Sequence, residues 1–263
     1  MSIKSILAKT GFCFSITPTI QEGCKLLYWT FLLVFYSRFF QQALANNKRA
    51  KSLYMNTRRG PMEIKLRLQD VPIFYEMFFS NAYYIPEKNI SEGNVLDIGA
   101  HIGLASIYFW DKHFHDAKFY CVEPSKENLQ LLEYNTRLLD RTIINVGISD
   151  HNGYVSFDTS GFGHNYKIDI NGEGKDKIEI CTIDRLFENY GIGEVVLLKM
   201  DIEGEEEKVI KSKYNWINSV KILLLEVHGN YSCAEIQKDI DKKGHLNKHI
   251  LIKSHSDICL LIQ

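Results

Sequence analysis

The chain has 263 residues, with 31 Lys and Arg against 32 Asp and Glu for a formal charge of −1, and 45% of its residues are hydrophobic. That composition excludes a largely disordered chain, a collagen and a polytopic membrane protein. The length allows one large domain or two small ones, with enough core to fold without staples.

The near-zero charge hides an asymmetry. Residues 1–61 hold nine basic residues (Lys4, Lys9, Lys25, Arg38, Lys48, Arg49, Lys51, Arg58 and Arg59) against one acid, Glu22, a net +8 that leaves −9 for the rest. The split fits either a solvated basic helix or a segment held near an anionic surface such as a membrane. Six cysteines stand at 13, 24, 121, 181, 233 and 259 with no C-x-x-C spacing, so neither a zinc knuckle nor a redox motif is indicated. Cys121 and Cys181 lie in apolar stretches and read as core thiols. The expectation is a reducing, cytoplasmic compartment without structural disulfides.

No signal peptide is evident, since residues 1–25 are mixed and include Pro18 and Gly23. The most apolar run is Leu26–Tyr36, flanked by Lys25 and Arg38. As a helix it covers about 16 Å against roughly 30 Å of hydrocarbon, and extending it to Ala45 brings in Arg38, Gln41 and Gln42. It therefore reads as a helix packed on the main domain or as an interfacial membrane helix over residues 24–45, rather than as a span. Residues 1–61 are expected to form a basic, partly apolar helical extension, and residues 62–263 the main domain.

Gly60-Pro61 breaks the chain. Met62–Leu68 alternates apolar and charged residues, which predicts a half-buried strand. Val71–Phe79 follows as a short helix, with Asp70 as its N-cap and Pro72 in its first turn. From Asn94 the pattern alternates strand and helix. Strands are predicted at Val95–Ile98, Lys118–Val122, Thr142–Ile148, Lys177–Cys181, Val195–Met200 and Val220–Val227. Helices are predicted at Ile102–Trp110, Lys126–Leu139, Ile183–Glu188, Glu205–Lys211 and Cys233–Lys242. His151-Asn-Gly153 reads as a hairpin turn returning through Tyr154–Phe157, residues 158–176 as a loop, and His249–Lys253 with Ile258–Ile262 as a closing strand pair. The alternation implies an α/β fold with a parallel sheet covered on both faces.

Asp97-Ile-Gly-Ala-His-Ile-Gly103 follows a strand and opens a helix. Gly99 and Gly103 permit a tight turn and close approach of a ligand, and the helix start offers unpaired N–H groups. A carboxylate at Asp97 repels a phosphate and attracts an amino-acid ammonium, which favours S-adenosylmethionine (SAM) over a dinucleotide; the G-x-x-x-G spacing also departs from G-x-G-x-x-G. Glu123, ending the second strand, can accept two hydrogen bonds from ribose hydroxyls. Asp201 and Glu203, in Lys199-Met-Asp-Ile-Glu-Gly-Glu205, are expected to share a side in extended geometry. Glu226 and His228 end the next strand. If the two strands are neighbours, these four groups converge at the carboxyl edge of the sheet, where they could deprotonate a hydroxyl or hold a divalent metal.

Asp97–Gly103, Glu123-Pro124, Val146-Gly-Ile-Ser-Asp150 with Gly153, Thr182-Ile-Asp184, the Lys-x-Asp-x-Glu-Gly-x-Glu string from Lys199, and Glu226-x-His228 together resemble the FkbM-type SAM-dependent methyltransferases. The likeness covers about residues 62–263, with His101 standing where Asn is more usual. It implies a Rossmann-like class I methyltransferase fold, with a mostly parallel seven-stranded sheet whose last strand is antiparallel. It also implies O-methylation of a sugar, glycan or natural-product hydroxyl. On that reading Asp97 holds the SAM amino group, Glu123 the ribose, and Gly99, Ala100 and Gly103 allow close approach, with Ser149 and Asp150 near the adenine. His228 or Asp201 is the base, and Glu203 and Lys199 orient it. No residue is assigned as a metal ligand. The rivals are a non-catalytic SAM-fold interaction protein and a nucleotide-cofactor oxidoreductase, the latter lacking its glycine pattern. A nucleic-acid partner is disfavoured by the −9 body, because tracking phosphates requires a basic surface.

Overall fold

The computed structural model describes residues 3–39, 48–86, 92–158, 167–169, 176–243, 250–255 and 258–262. The chain forms two compact units that meet in sequence between Ala82 and Tyr83.

The first unit starts with helices α1 (Ile3–Ile16) and α2 (Ile20–Phe39), followed by strands β1 (Lys51–Thr57) and β2 (Gly60–Leu66) and helix α3 (Val71–Phe78). β1 and β2 pair antiparallel from Lys51↔Leu66 to Thr57↔Gly60. The predicted alternation is seen in β2, which buries Met62, Ile64 and Leu66. The edge expected after residue 61 falls inside this hairpin, so the N-terminal segment supplies a strand as well as helices. α2 buries Leu26 and Trp29, and the Glu22 carboxylate accepts the Tyr54 backbone N–H at 3.0 Å. The Tyr75 hydroxyl joins α3 to Thr30 Oγ1 at 2.7 Å and to Cys13 Sγ at 3.1 Å. Asp70 does not cap α3 with its side chain. Its carboxylate instead accepts the Arg67 backbone N–H at 2.8 Å and pairs with the buried guanidinium at 2.9 Å. A buried arginine this close takes the carboxylate away from the helix end.

The second unit holds β3 (Asn94–Ile98), α4 (Leu104–Lys112), β4 (Lys118–Val122), α5 (Lys126–Asn135) and β5 (Arg141–Ile144). Four short strands follow, β6 (Gly147–Ile148), β7 (Gly153–Asp158), β8 (Lys167–Asp169) and β9 (Asp176–Cys181). The chain then runs through α6 (Ile183–Tyr190), β10 (Val195–Met200), α7 (Glu206–Lys211), β11 (Val220–Glu226), α8 (Cys233–Lys242), β12 (Ile250–His255) and β13 (Ile258–Ile262).

The main sheet has seven strands in the order β12-β13-β11-β10-β3-β4-β5. β13 runs antiparallel to β11 and β12, and the other pairings are parallel, as expected for a Rossmann-like methyltransferase sheet. From β3 the chain steps outward to β4 and β5, then returns to the other side of β3 through β10 and β11. Strand order therefore reverses between β3 and β10, which opens a crevice at their carboxyl ends. All six residues of β10 are buried, because a central parallel strand is covered on both faces.

Three expectations are corrected. Thr142–Ile148 is not one strand: β5 stays in the main sheet, while β6 joins a four-stranded sheet ordered β6-β9-β7-β8. The predicted hairpin across His151–Gly153 is therefore absent, because β9 inserts between β6 and β7, parallel to one and antiparallel to the other. A disulfide joins Cys233 and Cys259, contrary to the expectation of none. It links the first residue of α8 to β13, and only tertiary packing brings these positions together. Cys121 and Cys181 are buried free thiols, as expected. Most of the loop read at 158–176, and residues 40–45 of the apolar segment, lie outside the described residues. Among the described residues no helix is long and apolar enough to cross a membrane.

Candidate active site

The crevice begins at the turn from β3 into α4. Asp97 is the fourth residue of β3 and sits in register with Lys199 of β10 and Cys121 of β4. Its carboxylate is fully buried. Ser106 Oγ donates to Oδ2 at 2.6 Å. Oδ1 lies 3.4 Å from the Lys199 ammonium but receives no hydrogen bond. Lys199 is also buried; its ammonium donates to the Gly99 carbonyl at 2.7 Å and lies 3.4 Å from Asp201 Oδ2. Burial works against this charge, yet the carboxylates of Asp201, Asp97 and Glu226 raise its pKa above the usual lysine range.

Gly99 has φ +75°, and a Cβ there would sit 1.8 Å from the Asp201 carbonyl oxygen. Gly103, at φ +88°, would meet Thr136 Cγ2 at 2.6 Å. Both glycines are therefore required by the chain's own packing, at positions the sequence reading assigned to ligand approach. His101 sits between them at φ +51°, and its backbone N–H donates to Glu123 Oε2 at 2.9 Å. Glu123 Oε1 accepts from the Ser125 N–H at 2.9 Å and from Asn128 Nδ2 at 3.0 Å. The carboxylate thus ties the end of β4 to the β3–α4 turn. Burial raises its pKa, and its three donors act in the opposite sense. Three of its roughly four acceptor positions are occupied, which leaves room for one more donor rather than two.

The second half of the crevice lies at the ends of β10 and β11, which pair in parallel as the sequence reading required. Asp201 and Glu203 do not alternate in an extended strand. They lie in a turn where Glu203 has φ +57° and Gly204 φ +108°. The turn still brings both to His228: Nε2 lies 3.9 Å from Asp201 Oδ1 and 3.6 Å from Glu203 Oε2. On the other side of the ring, Nδ1 meets Glu206 Oε1 at 3.1 Å. Glu206 is buried and also accepts the N–H groups of Ile202 and Gly204. The sequence reading missed its role, although it is the last Glu of the Lys-x-Asp-x-Glu-Gly-x-Glu string. Glu226 lies close enough for its charge to act on Lys199 and Glu203, and its carboxylate accepts a hydrogen bond from the Tyr83 hydroxyl; the Tyr83 ring stacks on Phe109.

This packing sets the proton affinities. The Glu206 hydrogen bond raises His228 to about 9; burial opposes the shift, and the charges of Glu206, Asp201 and Glu203 add to it. Burial raises Glu203 to about 7, helped by the Asp201 charge and opposed by His228. Glu206 is lowered: its burial is more than offset by the His228 and backbone hydrogen bonds. Asp201, Glu203 and His228 offer two oxygens and a nitrogen within 4.8 Å of one another, a donor set that also suits a divalent cation.

Ser149 and Asp150 follow β6 in the second sheet. The Ser149 hydroxyl lies 3.3 Å from Glu205 Oε2, which links it to the β10–α7 turn. Asp150 pairs with His151 at 2.7 Å, and this bond lowers its pKa.

The family model for the methyltransferase FkbM domain matches residues 97–255. The hexuronic acid methyltransferase AglP of Haloferax volcanii is 27% identical over 154 residues, covering 57% of this chain and 63% of AglP. The chain therefore spans less than two thirds of that relative. Among solved structures, the M. capricolum TrmK bound to S-adenosyl-homocysteine shares 14% identity over 70% of this chain and 66% of its own, with a TM-score of 0.38. The Aeropyrum pernix fibrillarin with bound SAM shares 12% over 83% and 85%, with a TM-score of 0.42.

Proposed function

The chain belongs to the FkbM methyltransferase family, and on that premise we propose that it is a SAM-dependent O-methyltransferase acting on a sugar or glycan hydroxyl, with Tyr83–Gln263 as its catalytic unit. The observation that carries the reading is the meeting of two groups at one topological switch point: the Asp97–Lys199 pair with Glu123 on one side, and the carboxylate–imidazole cluster on the other.

Two features fit SAM. Asp97 Oδ1 is a buried acceptor without a hydrogen bond, suited to an ammonium or to a water that the ammonium holds. Glu123 Oε2 has one donor in place and room for a ribose hydroxyl. Backbone from Gly99 through Ala100 to Gly103 would line the same side, with Ser149 and Asp150 toward the adenine. When bound, SAM supplies an electrophilic methyl group on a sulfonium.

The chain's own part is to orient the acceptor and move its proton. Lys199 holds Asp97 and Asp201 in fixed positions and neutralises part of their charge. Glu206 anchors Nδ1 of His228, so that Nε2 faces Asp201 and Glu203. The acceptor hydroxyl would give its proton to the Glu203–His228 pair, with Asp201 orienting it. Positioning the two reactants supplies much of the acceleration.

The name of the Haloferax relative, a hexuronic acid methyltransferase, supports a sugar as acceptor. The proposal also takes the protein as cytoplasmic, with peripheral membrane contact through residues 24–45. Calorimetry with SAM, followed by transfer of labelled methyl to a panel of neutral and uronic sugars, tests the reading. Binding with transfer to a sugar is expected. Absence of SAM binding overturns the reading, and binding without transfer to any hydroxylated acceptor favours the non-catalytic rival.

A further inference from the structure

Helix α2 has two unlike faces. One seats Leu26, Trp29 and Glu22 within the first unit. The other carries Tyr28, Phe31, Phe35 and Phe39, exposed by 57%, 61%, 51% and 62%. Their spacing of three, four and four residues sets them in one stripe along the helix, about 16 Å long. A surface helix ordinarily turns charged and polar residues outward. A row of large aromatic rings in that place marks an interaction surface.

The charge around the stripe narrows the occupant. Lys25 and Arg38 flank it on the same helix, and residues 1–61 carry nine basic residues against one acid. A second copy would bring the same positive surface against this one, which like-charge repulsion disfavours. A bilayer with anionic headgroups meets both features together: the rings enter the boundary between headgroups and acyl chains, and the cations lie among the phosphates. Over its described residues the helix is not long and apolar enough to cross a membrane.

We propose that the Tyr28–Phe31–Phe35–Phe39 face of α2 lies flat in the interface of an anionic lipid bilayer. Lys25 is already paired with Glu22 and bonded to the Ser52 carbonyl, whereas the Arg38 guanidinium lies over the Phe39 ring, 5.9 Å from its centroid, at the end of the aromatic stripe. The inference does not depend on methyl transfer.

The test is co-sedimentation of the full chain with vesicles of phosphatidylcholine alone and of phosphatidylcholine mixed with phosphatidylglycerol. The proposal expects binding to the mixed vesicles that weakens as salt rises. Phe31→Ser with Phe35→Ser should reduce the partition coefficient at least about tenfold, and Arg38→Gln by a smaller factor. Melting curves check that each variant folds, which their exposure favours. Three results would each overturn the proposal: no binding to the mixed vesicles, equal binding by the aromatic double variant, or equal binding to both vesicle types. A concentration-dependent dimer in sedimentation velocity that the double variant abolishes, without vesicle binding, would assign the face to a second copy instead.

Discussion

Replacing Glu206 by Gln tests the electrostatics of the crevice directly. The side chain keeps its shape but loses the charge that His228 Nδ1 meets at 3.1 Å. His228 is raised from 6.5 to about 9, with the Glu206 hydrogen bond as the largest cause. At 1.36 kcal/mol per unit the whole shift corresponds to about 3 kcal/mol. The imidazole is 29% exposed, so solvent screening reduces that figure. Asp201 and Glu203 remain at 3.9 and 3.6 Å and retain part of the effect. The expected outcome is a fall of about one to two units in the His228 midpoint, read from the imidazole resonances in an NMR titration. The sign in stability follows. A histidine raised in the folded state contributes stability that is complete below about 6.5 and is lost as pH rises through about 9. The melting-temperature gap between wild type and variant should therefore be wide near pH 6 and narrow above pH 9. A residual gap remains at high pH, because the Gln amide nitrogen cannot accept from the backbone donors that the second carboxylate oxygen serves. A His228 midpoint unchanged near 9 would refute the reasoning.

Three further substitutions follow from the same geometry. Lys199→Met removes the only cation within 4 Å of the buried Asp97 among the described contacts; a loss of about 3–5 kcal/mol in denaturant unfolding is expected, and wild-type stability would contradict the pairing. Gly99→Ala combines a positive φ with a Cβ 1.8 Å from the Asp201 carbonyl oxygen, so it should destabilise the protein far more than Gly60→Ala, where φ is also positive but nothing lies within 4 Å. Cys233→Ser opens a link spanning 26 residues and should cost about 3 kcal/mol of stability under oxidising conditions, with no difference from wild type once both are reduced.

What could be read from the sequence was whatever lies within a single strand and the turn after it. The Asp97–Gly103 and Lys199–Glu206 strings each end a strand and open a helix, and their glycines announce the positive-φ turns. The neighbours that complete the site come from elsewhere in the chain. Ser106 reaches Asp97 from the first turn of α4, and Asn128 reaches Glu123 from the next helix. The insertion of β9 between β6 and β7 could not be read either, because hairpin patterning is local and strand exchange is not. The Cys233–Cys259 link has the same origin: no spacing motif announces two positions that meet only once α8 lies against β13. Residues 1–61 show the limit most plainly. The run Leu26–Tyr36 is apolar all round, so its pattern could not say which face would be covered, and only the packed helix separates Leu26 and Trp29 from Phe31 and Phe35.

The proton affinities change what the crevice is suited to do. The sequence offers His228 or Asp201 as the base, and Glu206 against Nδ1 raises His228 to about 9, which favours its charged form at neutral pH. Glu203, raised to about 7 by burial and by the Asp201 charge, is the member whose affinity lies near neutrality. The two groups are 3.6 Å apart, so the charge of each acts on the other: the imidazolium lowers Glu203 and the carboxylate raises His228. In the proposed reaction the hydroxyl proton would go to Glu203, with the charged imidazole of His228 beside it. The field of Lys199 keeps Asp201 and Asp97 from adding their charge unopposed. On this view the string from Lys199 to Glu206 acts as a single electrostatic device: its first residue compensates the buried acids, its last fixes the imidazole, and the acids between them hold the transferable proton.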